Sequence, residues 1–257
     1  MTATALLEAR GLGRDFGGVA AVGRVDFTVA RGQIKALIGP NGAGKTTILN
    51  LIGGVLAPSR GALFLDGAPL PVGRPHAVAA RGVARTFQLT RLFGGMTVLE
   101  NVLVGCHRRG RAGWAACAFR TPAMRRDEAR LRDGALETLA FVGLAERADV
   151  VAAALPYGEQ RLVEVARALG LEPRLLLLDE PGAGLDADEH ARLAGVVRAI
   201  RARGTTVLLV DHHIGFVLGV SDEVLVLAHG DKLAEGPPAE VRAHPAVIAA
   251  YLGDDAC

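Results

Sequence analysis

The chain has 257 residues, enough for one large α/β domain or for a core carrying a subdomain. Half of the residues are hydrophobic and few are aromatic, so an aliphatic core is available, and a net charge of +2 argues against a general nucleic-acid binder. Cys106, Cys117 and Cys257 fit neither a zinc-site spacing nor a disulfide framework, and no apolar run approaches the roughly 20 residues that cross a bilayer.

Met1–Arg10 lacks a long apolar stretch behind a basic one, so no signal peptide is expected. Val25–Ala30 alternates and predicts a strand, and Gln33–Ile38 predicts a second that runs into a Gly-rich loop. Lys45–Gly53 predicts a helix stopped by Gly53-Gly54. Gly61–Asp66 reads as a strand with a turn at Asp66-Gly67, and Val83–Phe87 as another short strand. From about Thr97 to Arg167 helical spacing takes over, with Val98, Asn101, Val102 and Gly105 on one face and Ala129–Val142 as a longer helix. Two Arg-rich stretches fall there, Arg108–Arg111 and Arg120–Arg132; they read as a solvated helix face or as a contact with a membrane partner. Beyond them Leu175–Leu178, Thr206–Val210 and Val224–Ala228 are short apolar runs suited to buried parallel strands. Amphipathic helices at Asp186–Arg203 and Ile214–Gly219 separate them, so a mostly parallel sheet with helices on its faces is expected.

Gly39-Pro40-Asn41-Gly42-Ala43-Gly44-Lys45-Thr46 fits the phosphate-loop pattern G-x-x-x-x-G-K-[ST] without a mismatch, with a predicted strand before it and a helix after it. Glycines let the backbone wrap a phosphate, and successive N–H groups then point inward at the positive end of a helix dipole. Lys45 is one of only three lysines, with Lys35 and Lys232, and brings a full positive charge to the β- and γ-phosphates of a nucleotide. Thr46 offers a hydroxyl to Mg²⁺.

Leu175–Leu178 ends in two carboxylates. Asp179 is placed to hold Mg²⁺, and Glu180 is the better candidate for orienting and deprotonating an attacking water. Adjacent residues of an extended chain point different ways, so the two acids need not share a role.

Leu155-Pro156-Tyr157-Gly158-Glu159-Gln160-Arg161, with a helix predicted over Gln160–Leu169, resembles the L-S-G-G-Q signature of ABC ATPases. The resemblance runs over essentially the whole chain. It implies a phosphate-loop NTPase of RecA-like α/β fold, with an N-terminal antiparallel β part and an inserted α-helical subdomain. The core would span about 1–95 and 168–257 and the helical part about 96–167. It further implies ATP with Mg²⁺ as cofactors, and a dimer that clamps two ATP molecules. Gln88 matches the family's Q-loop glutamine and would touch Mg²⁺ and water; Asp186 lies in the match to the D-loop; His212 matches the switch histidine that reaches the γ-phosphate. His213 reads as a surface residue. Phe16 lies where the family stacks a ring on adenine, and Thr47 joins Lys45 and Thr46 around the phosphates. Leu155, Pro156, Tyr157, Gly158, Glu159 and Asp186 would contact the ATP held by the other subunit. Pro156 departs from the pattern: it replaces the signature serine and supplies neither hydroxyl nor N–H.

Within the family the chain is similar to the ATPase subunits of bacterial importers for branched-chain amino acids. The residues that carry this are Arg85-Thr86-Phe87-Gln88, the Tyr157–Gln160 form of the signature, the insert around Arg120-Thr121-Pro122 and the ending Pro245–Gly253. The implied partners are two membrane-spanning permease subunits, a second ATPase subunit, identical or related, and indirectly a solute-binding protein, with no nucleic acid. The implied place is the cytoplasmic face of the bacterial inner membrane. Urea, short amides or other amino acids stand as alternative solutes. A soluble ABC ATPase of translation or DNA repair stands as an alternative role, although such proteins usually carry two ATPase units or long coiled-coil inserts.

Overall fold

The computed structural model describes residues 4–88, 92–110 and 121–252. Cys117, Cys257, Arg111, Arg120 and Gly253 lie outside the described residues. The chain divides into two compact units, Met1–Gln88 with Arg174–Cys257, and Leu89–Pro173.

The first unit is built on two sheets. Strands β1 (Ala5–Phe16), β2 (Val19–Ala30), β4 (Arg60–Leu65) and β5 (Ala68–Pro69) form an antiparallel sheet in the order β2-β1-β4-β5. The second sheet runs β10 (Asp231–Gly236), β9 (Glu223–Ala228), β3 (Ile34–Ile38), β8 (Thr206–Val210), β7 (Leu175–Asp179), β6 (Val83–Arg85). All its pairs are parallel except β9 with β10. Every residue of β3, β7 and β8 is buried, which is why these segments read as unbroken apolar runs rather than as alternation. One apolar core, with Leu7, Val25, Leu37, Ile48, Leu177 and Leu208 among its members, joins both sheets to helix α1 (Lys45–Ile52).

The exception inside this apolar wall is Lys35 on β3, fully buried. Its Nζ donates to Thr28 O at 2.7 Å, to Glu223 at 3.0 Å and to Glu235. The three acceptors come from β2, β9 and β10, so one ammonium ties the antiparallel sheet to the edge of the parallel one. Burial pushes the Glu235 carboxyl up, but its hydrogen bonds from Lys232 and Lys35 outweigh that and hold it below the ordinary value. The remaining helices of this unit are α2 (Pro75–Ala80), α6 (Ala187–Ala202), α7 (Ile214–Val220), α8 (Pro238–Ala243) and α9 (Pro245–Leu252).

The second unit holds α3 (Val98–Cys106), α4 (Pro122–Phe141) and α5 (Tyr157–Leu169). Thr97 and Glu100 form a reciprocal capping box that fixes where α3 begins. Buried Asn101 then bonds the backbone of Phe93 and Thr97, holding the approach to the helix. Helix α4 starts on Thr121 with Pro122 in its first turn and carries Arg125–Asp133 mostly outward, with Arg130 paired to Asp127 at 2.6 Å.

Helix α5 begins at Tyr157, three residues earlier than its expected start at Gln160. Pro156 is its N-cap, with φ −53° and ψ 151°. Proline's fixed φ and missing N–H suit a helix start, so the ladder opens directly behind it, with Gln160 N–H donating to Pro156 O at 3.0 Å. The amides of Tyr157, Gly158 and Glu159 therefore form the unladdered first turn. Gln160 turns its side-chain amide back to Leu155 O at 2.9 Å, and the Arg161 guanidinium lies 5.1 Å from the Tyr157 ring centroid.

Candidate functional site

The C-terminal ends of β3, β8, β7 and β6 lie side by side, and each releases a segment that bears chemistry. Behind β3 comes the loop Gly39–Gly44. Gly39 (φ 150°) and Gly44 (φ 100°) admit no side chain: a Cβ would come within 2.1 Å of Leu227 O at the first and within 2.5 Å of Ala21 O at the second. Gly44 is also the N-cap of α1, so the loop leads straight into a helix N-terminus. The Lys45 ammonium bends back over the loop and donates to the carbonyls of Gly39 (2.6 Å) and Pro40 (2.8 Å).

A cleft of about 480 Å³ opens over this loop, lined by Phe16, Ala21, Asn41, Gly42, Ala43, Gly44, Lys45, Thr46, Thr47, Gln88 and Glu180. Phe16 stands at the tip of the β1–β2 hairpin, 44% exposed, with the Arg14 guanidinium 4.8 Å from its ring centroid. The lining thus combines one half-exposed apolar ring with the glycine loop and its lysine.

Asp179 and Glu180 part company at the end of β7. Glu180 has φ 47°, the left-handed region, which costs a non-glycine residue about 1–2 kcal/mol. Its N–H donates to Val210 O at 2.7 Å, and its carboxylate lines the cleft, where Oε2 accepts from Gln88 Nε2 at 2.8 Å. His212, with a side chain 68% exposed, brings Nδ1 to 4.0 Å from the same carboxylate. Asp179 stays buried: Arg85 Nη2 donates to its Oδ2 at 2.8 Å, and its own N–H donates to Thr86 Oγ1 at 3.2 Å.

Behind β8, buried Asp211 joins two segments. Oδ2 accepts from Gly182 N at 2.9 Å and Oδ1 from His213 N at 2.9 Å. His213 does more than lie on the surface. Its Nδ1 caps α7 by accepting from Phe216 N at 3.1 Å, and its ring lies 4.5 Å from that of His190. His190 Nδ1 in turn meets Asp186 O at 2.7 Å. Asp186 is the N-cap of α6, in a reciprocal box with Glu189. The segment expected to cross a dimer interface is thus anchored by its own helix.

Of the expected site residues, Phe16, the loop from Asn41 to Thr47, Gln88 and Glu180 line one cleft; Gly39 bonds the lysine, His212 adjoins Glu180, and Asp179 lies one residue behind. Leu155, Pro156, Tyr157, Gly158 and Glu159 belong to the helical unit. Arg85, Thr86, Asp211 and Tyr251 also support the site, although the sequence assigns none of them a role there. An arginine inside an apolar strand was the available signal for Arg85, since a buried cation needs a partner. Tyr251 of α9 hydrogen-bonds the Gly39 backbone; burial pushes its hydroxyl up from the ordinary value and that bond partly offsets it.

Thr46, Asp179 and Gln88 offer hydroxyl, carboxylate and amide oxygens, and no group of three or more His, Cys, Asp or Glu among the described residues is arranged to hold a metal ion. Such a sparse, hard donor set suits Mg²⁺ that keeps waters and binds with nucleotide phosphates, and does not suit a protein-only metal cage.

A parallel sheet that sets a glycine loop, a lysine and paired acids at its strand ends defines a phosphate-loop nucleotide hydrolase. Residues 22–183 match the family model described as ABC transporter, and residues 232–257 match one described as branched-chain amino acid ATP-binding cassette transporter. The chain belongs to the ABC transporter family and is of its ATP-binding, ATP-hydrolysing kind. It is 42% identical over 250 residues to the high-affinity branched-chain amino acid transport ATP-binding protein BraF of Pseudomonas aeruginosa, covering 97% of this chain and 98% of that one. The corresponding protein LivG of Escherichia coli is 41% identical over the same shares. Among solved structures, the ADP conformation of an ATP-binding cassette of an ABC transporter superposes with TM-score 0.86 at 30% identity, over 97% of this chain and 99% of that one. A nucleotide-free cassette gives 0.85 at 29%, over 96% and 99%.

Proposed function

We propose that this chain powers the import of branched-chain amino acids as the ATPase subunit of a membrane transporter, with the site residues in the following roles. Lys45 exchanges its loop carbonyls for the β- and γ-phosphates, while the amides from Asn41 to Thr47 surround them. Phe16 stacks on adenine. Thr46, Asp179 and Gln88 would hold Mg²⁺, which supplies charge neutralisation on the phosphates when bound. Glu180, steadied by Gln88, takes the proton of the attacking water, and His212 contacts the γ-phosphate.

The observation that carries hydrolysis over mere binding is that Glu180 lines the phosphate-loop cleft with its carboxylate bonded to Gln88, while the neighbouring Asp179 is engaged separately by Arg85. A second ATPase subunit, identical or related, closes its own equivalents of Leu155, Pro156, Tyr157, Gly158, Glu159 and Asp186 over the nucleotide. The free first-turn amides of α5 suit an anion there. Two permease subunits receive the motion through the helical unit, and a solute-binding protein delivers the amino acid to them. No helix among the described residues is long and apolar enough to cross a membrane, which fits attachment through those permeases at the cytoplasmic face of the inner membrane. Full-length similarity to branched-chain amino acid proteins supports the choice of solute.

Affinity capture from detergent-solubilised membranes tests this. Two polytopic membrane proteins co-purifying with the chain, and leucine-stimulated ATP hydrolysis once the solute-binding protein is added back, are expected. Recovery with ribosomes or DNA-repair proteins would move the ATPase to a soluble role.

A further inference from the structure

The end of β6 grips the acids of β7 at three points: Arg85 on the Asp179 side chain, Thr86 on the Asp179 backbone and Gln88 on Glu180. Arg85 makes the longest reach. Its side chain is 10% exposed and that of Asp179 4%. While Nη2 holds Asp179 Oδ2, Nη1 donates to Asn50 Oδ1 at 2.7 Å. Asn50 sits on α1, the helix that begins with Lys45 and Thr46. Nε has no partner among the described residues, so the two terminal nitrogens carry the hold. The Phe87 ring lies 5.4 Å from the guanidinium and backs it.

A guanidinium is flat and rigid, so two simultaneous bonds fix one spacing, here between the phosphate-loop helix and the strand that ends in Asp179. The pair engages Oδ2 and leaves Oδ1 outside it. Loss of the guanidinium would leave a buried carboxylate with a free choice of rotamer and α1 with no polar tie to β7 through Asn50.

We propose that Arg85 is a positioning residue that sets Asp179 against the phosphate-loop helix and so fixes the fit of Mg²⁺ beside the nucleotide; this rests on the reading of Asp179 as a Mg²⁺ ligand. Lysine in its place keeps the charge but, as a point donor on a flexible stem, serves Asn50 and Asp179 less well together. Supporting groups of this kind change metal affinity by about 10–100-fold when removed.

The test is equilibrium binding of a fluorescent ADP analogue to the purified full chain, without Mg²⁺ and across a Mg²⁺ titration. R85M is expected to bind the analogue without metal about as well as wild type, and to need at least about ten times more Mg²⁺ for half-saturation. R85K should fall between them. Unchanged Mg²⁺ requirement in both folded variants overturns the proposal, and so does a parallel loss of metal-free binding, which would mark a general structural role. Should R85M fail to fold, R85K decides: a raised Mg²⁺ requirement supports the proposal and a wild-type one overturns it. A wild-type protein indifferent to Mg²⁺ would instead remove the metal reading itself.

Discussion

Gln88 Nε2 lies 2.8 Å from Glu180 Oε2, linking the segment behind β6 to the end of β7. The amide can hold the carboxylate at one angle without taking its charge. It also places the proposed base under the control of a residue that ends the first run of its unit, where the chain leaves for the helical unit.

Glu180→Gln should keep ATP affinity and lose hydrolysis by about 10²–10⁴-fold, since the amide preserves shape and removes the base. Nucleotide binding and phosphate release, measured on one preparation, separate the two effects. Turnover at the wild-type rate would reassign the base.

Gly39→Ala should be worse for the protein than Lys45→Ala. The added methyl meets the carbonyl of Leu227 on a buried strand, so a cost on the order of 3 kcal/mol is expected in denaturant unfolding. Lys45→Ala should leave folding intact and abolish high-affinity ATP binding.

Pro156→Ser should strengthen ATP-dependent dimerisation by about 1–2 kcal/mol, the value of one added charge-assisted hydrogen bond to a phosphate. The proline already serves as the N-cap of α5 without a side-chain bond, and serine caps at least as well. Analytical ultracentrifugation of a Glu180→Gln background, which holds ATP uncleaved, reads the difference. Equal dimerisation would overturn the idea that the proline weakens the clamp.

The Glu235 carboxyl is held below its ordinary value, so its contribution to stability is present above the unfolded carboxylate value near 4.5 and is lost as pH falls through the folded value. Unfolding midpoints followed downward from pH 6 should therefore drop less steeply in Glu235→Gln than in wild type. Lys35→Met removes the shared ammonium and should cost about 1–3 kcal/mol at neutral pH, because Thr28 O loses its side-chain donor while Glu223 and Glu235 each lose one donor and keep Gln33 and Lys232.

Segments buried on both faces were the legible ones. Leu175–Leu178 and Thr206–Val210 could be read as parallel strands because nothing interrupts their apolar run, and the glycine spacing of 39–44 reflects contacts that forbid a Cβ. Strand β1 is not legible: shifts in its register with β2, among them between Ala9 and Leu12 and between Leu12 and Arg14, break its two-residue period. Strand β10 is polar and lies at the sheet edge, so it lacks the apolar signal altogether. Arg85 could be seen as an oddity, but its partner lies 94 positions away and no local pattern encodes such a pair. The start of α5 was misplaced because proline at an N-cap leaves no hydroxyl or carboxylate signal of a helix beginning.

Strand β8 lies between β3 and β7, although it is made after both. A nascent chain that has emerged only as far as Arg203 already contains the glycine loop and both acids. Yet they sit on strands whose facing edges have no neighbour until β8 is made. The pairing that sets the glycine loop beside the two acids is therefore completed late in translation. Until Thr206–Val210 slots in, two largely apolar strands keep an open edge, so the interval before its synthesis is when the chain most needs shielding from other nascent chains.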